Sequence, residues 1–153
     1  MKPKSASSGL SRRQFISTTA LALAAPAILP SGAFGQENRP APSNRITMGI
    51  VGAGWQGGSN MGAFLGHKEC QVVAACDVDK NHLNAAVRTV NQKYGNQDCQ
   101  AYHDYRELMA RRDVDTVMLA LPDTWHALVA VEAARNGKDI YGEKPLARTI
   151  HEQ

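Results

Sequence analysis

Residues 46–57 read ITMGIVGAGWQG, an extended apolar run that ends in three glycines, Gly52, Gly54 and Gly57, with the spacing GxGxxG. Ile46, Met48, Ile50 and Val51 have the near-continuous hydrophobicity of a strand buried on both faces of a parallel sheet. Each glycine then meets a different need of phosphate binding. Gly52 lets the strand turn sharply, Gly54 lets backbone come close to a pyrophosphate, and Gly57 lets the next helix pack on the strand. The phosphate would rest on amides left free at that helix's N-terminus. Read alone, the spacing fits a plain glycine-rich turn as well.

The flanking sequence turns this reading toward a dinucleotide. A helical segment runs from Trp55 to Leu65, and a second buried run, Gln71 to Cys76, ends in Asp77. That carboxylate lies about twenty positions past Gly57, where a dinucleotide fold sets an acid on the ribose hydroxyls of adenosine. A carboxylate there repels a 2′-phosphate, which favours NAD over NADP, while Lys80 nearby keeps NADP open.

Further along, Asp79 caps a helix to Tyr94 whose stripe Leu83, Ala86, Val87 and Val90 covers one sheet face, and Gly95-Asn96 stops it. Gln100 to Tyr102 adds a short strand. Asp104 to Glu107 repeats the capping pattern for a short helix that turns Leu108 and Met109 inward, with Tyr102 and Tyr105 as packing residues. Residues 115–121, DTVMLAL, form a central parallel strand, ended by Pro122-Asp123-Thr124, which can cap the next helix. That helix sets Ala127, Ala130, Val131 and Ala134 on one side and ends at Gly137; Asp139 to Gly142 is the last strand. The alternation predicts an α/β fold, a doubly wound parallel sheet. Gly52, Asp77, Pro122 and Glu143-Lys144 all follow strand ends and converge on one crevice.

The chain of 153 residues holds one such domain, 45–153, preceded by a linker, 36–44, containing Pro40 and Pro42. Residues 1–35 read as a targeting segment: Arg12-Arg13 precede an apolar stretch, Ala20 to Leu29, that is too short for a membrane span and is broken by Pro26. The pattern resembles a twin-arginine export signal, with Ser31-Gly32-Ala33 or Gly35 as cleavage sites; the alternative is a plain N-terminal tail. Lys2, Lys4, Arg12 and Arg13 carry the formal charge of +3, since the rest of the chain holds 13 basic against 14 acidic residues, net −1. No basic stripe interleaved with aromatics remains, and no nucleic-acid partner is expected. Cys70, Cys76 and Cys99 lack ligand spacing, the histidines show no HExxH, and no metal is expected. Thr149 to Glu152 has the TxxE pattern of a starting helix, from which a chain that continues past Gln153 is expected.

Lys144, between Glu143 and Pro145 at a strand's carboxyl end, could reach a cofactor ribose or a substrate hydroxyl, or be a surface lysine. Pro145 fixes the adjoining backbone, in cis or in trans. GIVGAGWQGG, Asp77, PDTWHA and EKPLA together resemble the N-terminal domain of the glucose-fructose oxidoreductase/inositol dehydrogenase/rhizopine-catabolism (Gfo/Idh/MocA) family, from Arg45 to the chain end. The resemblance implies that Lys144 contacts nicotinamide ribose and substrate and is catalytic, and that Glu143 helps hold the cofactor. It extends cofactor binding to the turn residues Gly52, Gly54, Trp55, Gln56 and Gly57. The family's loop TPxxxH is matched by Pro122 and His126, with Leu121 in place of threonine offering only its backbone. His126 is then a cofactor contact or a first-turn helix residue, and Trp125 lines the crevice or packs beneath it.

The resemblance implies hydride transfer between a sugar-like or cyclitol secondary alcohol and NAD(P), in an exported, periplasmic or extracellular protein that is a homo-oligomer at full length. The resemblance also implies a second, α+β substrate domain beyond this chain, without which the chain is expected to bind cofactor and turn over poorly. The alternatives are a glycosidase or epimerase of the same fold that recycles NAD, and an exported nucleotide-binding module without turnover. Relatives of the glycosidase type tend to lack the EKP lysine, so Lys144 favours the oxidoreductase.

Overall fold

Alternation along each strand gives the sheet two apolar faces, and the helices cover both. The structure, a computed structural model, describes residues 40–152. In chain order these form β1 (Ile46–Val51), α1 (Trp55–Phe64), β2 (Cys70–Cys76), α2 (Lys80–Tyr94), β3 (Gln100–Tyr102), α3 (Tyr105–Met109), β4 (Thr116–Leu119), α4 (Asp123–Arg135) and β5 (Asp139–Gly142). Every strand pair is parallel, in the order β3-β2-β1-β4-β5. The winding reverses between β1 and β4, which is the switch point of a doubly wound sheet and the place where its ligand crevice opens.

On one face, Met48, Ile50, Val72, Ala75 and Met118 meet Met61 of α1 and Leu83, Ala86 and Val90 of α2. On the other, Val51, Ala74, Cys76, Val117 and Leu119 meet Leu108 and Met109 of α3 and Val129 and Ala133 of α4. The β1–β2 register slips once, pairing Met48 with Val72 but Gly49 with Ala74. As expected, Asp79 caps α2, accepting the amides of Asn81 and His82 at 2.6 and 3.2 Å, and Gly95 ends it at φ 66°. Asp104 caps α3 in the same way through the amide of Arg106.

Three expectations need correction. Ile46 is 54% exposed rather than buried, because β1 enters the sheet at its open amino end. The buried face of α4 is His126, Val129 and Ala133, about one residue round from the Ala127, Ala130, Val131 and Ala134 stripe; Val131 is 46% exposed. Alanines on every side make its periodicity weak, so the larger Val129 and the anchored ring of His126 choose the face. Finally, α4 has no side-chain cap, since Pro122 itself occupies the N-cap position. Residues 1–35, expected to be a targeting segment, and residues 36–39 of the expected linker lie outside the described residues. The rest of the linker makes a 3-10 turn, Pro42–Asn44, held where Arg45 Nε donates to the Pro40 carbonyl at 2.8 Å. The TxxE segment forms a 3-10 turn, Ile150–Glu152, whose Glu152 carboxylate accepts the Thr149 amide at 3.2 Å. All three cysteines are free thiols.

Candidate functional site

The three glycines of the first turn prove to have two different causes. At Gly52 the chain turns with φ 84°, and a Cβ would stand 2.1 Å from the carbonyl oxygen of Ala120. At Gly57 it would stand 1.8 Å from the carbonyl oxygen of Gly52. Both clashes are with backbone, so the fold itself requires these glycines. Gly54 is different, because a Cβ there meets only the His82 ring, with Nδ1 at 3.5 Å. The space over Gly54 opens into the crevice, which fits a group that must approach backbone closely.

The ends of the helices carry the electrostatics. Aspartates cap α2 and α3, whereas α1 opens at Gly54 and α4 at Pro122 with no side-chain cap. The two helices without caps are the ones that start at the switch point. Their positive dipole ends lie at the crevice end of the sheet, where Gly54 and Pro122 line it, which suits a diphosphate.

Asp77 joins this turn to the end of β2. Its Oδ2 accepts the Ala53 amide at 2.7 Å and its Oδ1 accepts the Asp79 amide at 2.8 Å. His82 Nδ1 stands 3.9 Å from Oδ2, and the carboxylate is 10% exposed. A carboxylate oxygen has two acceptor directions, so each keeps one for a ribose hydroxyl. His103 Nδ1 lies 3.1 Å from the Asp77 carbonyl oxygen, which places a second imidazole on the same wall.

The crevice between these elements has a volume of about 570 Å³ and is lined by Gly52, Gly54, Asp77, Leu121 and Pro122 among the expected residues. Trp125 lines it too, which decides between the two roles considered for that ring. Val78, His82, His103, Tyr105 and Arg106 also line the wall and were not among the expected site residues. His103 directly follows the end of β3, a position that the strand-end rule singles out; His82, in the first turn of α2, had no such signal. A cleft of similar size at the other end of the strands, between Arg111 and Asp139, has its Lys138 ammonium bonded to the carbonyls of Arg111 and Val114.

The remaining expected residues lie off this wall. Gly57 is buried beneath it, and Trp55 is 94% exposed. Gln56 is exposed and donates to Asn60 Oδ1 at 3.0 Å. His126 is 2% exposed, with Nε2 at 2.7 Å from the Leu121 carbonyl and 3.3 Å from the Leu121 amide. One ring nitrogen cannot both donate and accept, and the shorter contact assigns the proton to Nε2, donating to the carbonyl. The ring thus holds the Leu121-Pro122 loop from below. Glu143 and Lys144 follow β5 at the same end of the sheet, and Lys144 is exposed, joined to Pro145 by a cis peptide bond. Glu143 accepts from Asn60 Nδ2 at 2.6 Å. Among the described residues no group of three or more His, Cys, Asp or Glu could hold a metal ion.

A glycine cradle, two uncapped helix ends and a strand-end acid at the switch point are the features of a dinucleotide fold, and the family comparison agrees. The family described as an oxidoreductase family with an NAD-binding Rossmann fold (Gfo/Idh/MocA) matches residues 46–153. The chain belongs to this family. Among curated relatives, glycosyl hydrolase family 109 protein 2 of Shewanella sp. (strain ANA-3) is 30% identical over 164 aligned residues, covering 95% of this chain and 36% of the relative. The α-N-acetylgalactosaminidase of Shewanella oneidensis is 33% identical over 110 residues, covering 70% of this chain and 24% of that protein. The chain thus spans about a third or less of the length of these relatives. Among solved structures, myo-inositol dehydrogenase from Lactobacillus casei in complex with NAD(H) and myo-inositol superposes with a TM-score of 0.64 at 27% identity, over 71% of this chain and 31% of that one. The Gfo/Idh/MocA domain here therefore has the NAD-binding Rossmann fold, and NAD is the cofactor that its crevice fits.

Proposed function

We propose that this chain is the cofactor-binding part of an NAD-dependent oxidoreductase that moves hydride between a sugar-like or cyclitol secondary alcohol and NAD. The observation that carries the reading is Gly54, bare toward the crevice for no packing reason, at the uncapped start of α1 and beside Asp77. The diphosphate would lie on the amides of the α1 N-terminus, and Asp77 would take the adenosine ribose. Val78 and Tyr105 would flank the adenine, and Leu121, Pro122 and Trp125 would lead toward the nicotinamide end. NAD, when bound, supplies the hydride acceptor. Lys144 Nζ is the base proposed to take the proton of the alcohol, and Glu143 helps hold the cofactor. The dehydrogenase from Lactobacillus casei, solved with NAD(H) and myo-inositol, supports a polyol as substrate class.

Further parts of this reading are an export signal over 1–35, resting on Arg12-Arg13 before an apolar run, and a periplasmic or extracellular location. A following substrate domain, homo-oligomerisation through it, and poor turnover by this chain alone belong to the same proposal. The experiment is NADH formation by the full-length protein with a panel of polyols and sugars. Lys144→Ala is expected to keep NAD affinity within a few-fold while turnover falls by about 10²- to 10⁴-fold. Absence of NAD binding by the unaltered protein overturns the reading.

A second reading has one specific support, the glycosidase names of the curated relatives. There NAD would be a recycled redox centre in glycoside cleavage. Product analysis separates the two, since net oxidation accumulates NADH and recycling does not.

A further inference from the structure

The glycine turn and the EKP segment are some 90 residues apart in sequence, yet α1 fastens one to the other. This helix begins at the turn and carries Gln56, Asn60 and Phe64 at i, i+4 and i+8, one above another on the same face. Two of them meet β5 and the residue after it. Asn60 Nδ2 donates to Glu143 Oε1 at 2.6 Å, and one turn further the Phe64 ring stands edge-on to Tyr141, with centroids 5.1 Å apart and planes at 84°. Tyr141 and Glu143 are two apart and so share a face of the strand.

Gln56 completes the arrangement. Its Nε2 donates to Asn60 Oδ1 at 3.0 Å, which commits the other end of the Asn60 amide, the donor, to Glu143. An asparagine is suited to this place because it accepts from one neighbour and donates to the next. The Glu143 amide is separately held by the Leu119 carbonyl at 2.9 Å, so side chain and backbone of this residue are both fixed, one residue before Lys144.

We propose that Asn60 is a positioning residue. It sets Glu143, and through it the backbone that carries Lys144, relative to the turn that would hold the diphosphate. Its consequence for the cofactor rests on the function proposed above; its consequence for the EKP backbone does not.

The test uses hydrogen exchange at the Glu143 amide, which the Leu119 carbonyl protects, together with NADH titration. Asn60→Asp sets a carboxylate against the Glu143 carboxylate, and exchange at the Glu143 amide is expected to quicken by about tenfold, with NADH affinity falling by a similar factor. Combining Asn60→Asp with Glu143→Gln exchanges acceptor and donor, so the bond re-forms in the opposite direction. Exchange at Glu143 should return to within about threefold of that in the unaltered chain. Simple loss of a structural contact would not be repaired by this second change. Asn60→Ala, which removes the donor and adds no charge, covers the case in which Asn60→Asp does not fold, and it too should quicken exchange. Unchanged exchange in the single variants, or no recovery in the double variant, overturns the proposal. If the unaltered chain binds no NADH, the proposed function fails, and the exchange measurement still decides the role of Asn60.

Discussion

The Asp77 carboxylate holds the Ala53 amide at 2.7 Å, so the acid expected to grip a ribose also braces the glycine turn. Its other oxygen holds the Asp79 amide at 2.8 Å. The site is therefore shaped before its guest arrives, which lowers the ordering cost of binding.

Asp77→Ala should consequently weaken two properties together. Two amides lose a charged acceptor, so folding stability is expected to fall by about 1 to 3 kcal/mol, and NADH affinity by at least about tenfold. Asp77→Asn should recover only part of this, since its amide offers one acceptor to two N–H groups. Urea melts and NADH fluorescence titration measure the two losses.

Gly54 and Gly57 should respond to alanine in opposite ways. Gly57→Ala drives a methyl into the Gly52 carbonyl and is expected to cost about 3 kcal/mol or more of stability. Gly54→Ala has room in the protein and should change stability by less than about 1 kcal/mol, while NADH affinity falls by about tenfold or more. Comparing melting temperature with binding for the two variants tells packing glycine from ligand glycine.

His126→Ala removes a buried ring and the donor to the Leu121 carbonyl. A loss of about 2 to 4 kcal/mol is expected from the cavity and the unpaired carbonyl together. Any fall in NADH affinity should come through a loosened Leu121-Pro122 loop, seen as faster amide exchange at Leu121 and Ala120.

Alkaline pH should destabilise the domain through its thiols. Burial, with Asp77, Asp104 and Glu107 adding to it, pushes the Cys76 thiol from an ordinary 9.0 up to about 12, and burial pushes Cys99 up to about 11. A folded-state value above the unfolded one means that the unfolded chain releases its protons first. The stability is complete below about pH 9 and is lost as pH rises from there through the folded values, by roughly 1 kcal/mol per pH unit per thiol. Urea midpoints on either side of pH 9 check this, and Cys76→Ser should flatten the slope. For the same reason Cys76 should resist alkylation in the native state and react on unfolding.

What could be read from sequence was what is local or periodic. The Asp79 and Asp104 caps, the Gly95 stop and the alternation of strands are each written within a few residues, and the structure has them. The α4 face was misread because Ala127, Ala130 and Ala134 bury so little area that no side stands out, leaving Val129 and the His126 ring to decide. The Asn60 to Glu143 bond spans 83 positions and follows no spacing rule, and the two histidines on the Asp77 wall come from separate elements. Such pairings exist only once the sheet has closed. The glycine turn was legible as a turn, but only the clash distances show that Gly52 and Gly57 are required by the fold while Gly54 is not.

The outermost long strand has a further consequence. All four residues of β5 are exposed, Ile140 and Tyr141 are apolar, and the neighbouring Lys138 is bonded inward to the Arg111 and Val114 carbonyls. Purified at high concentration, this chain should stick to itself rim to rim, and light scattering that grows with protein concentration and recedes with Ile140→Lys would reveal it.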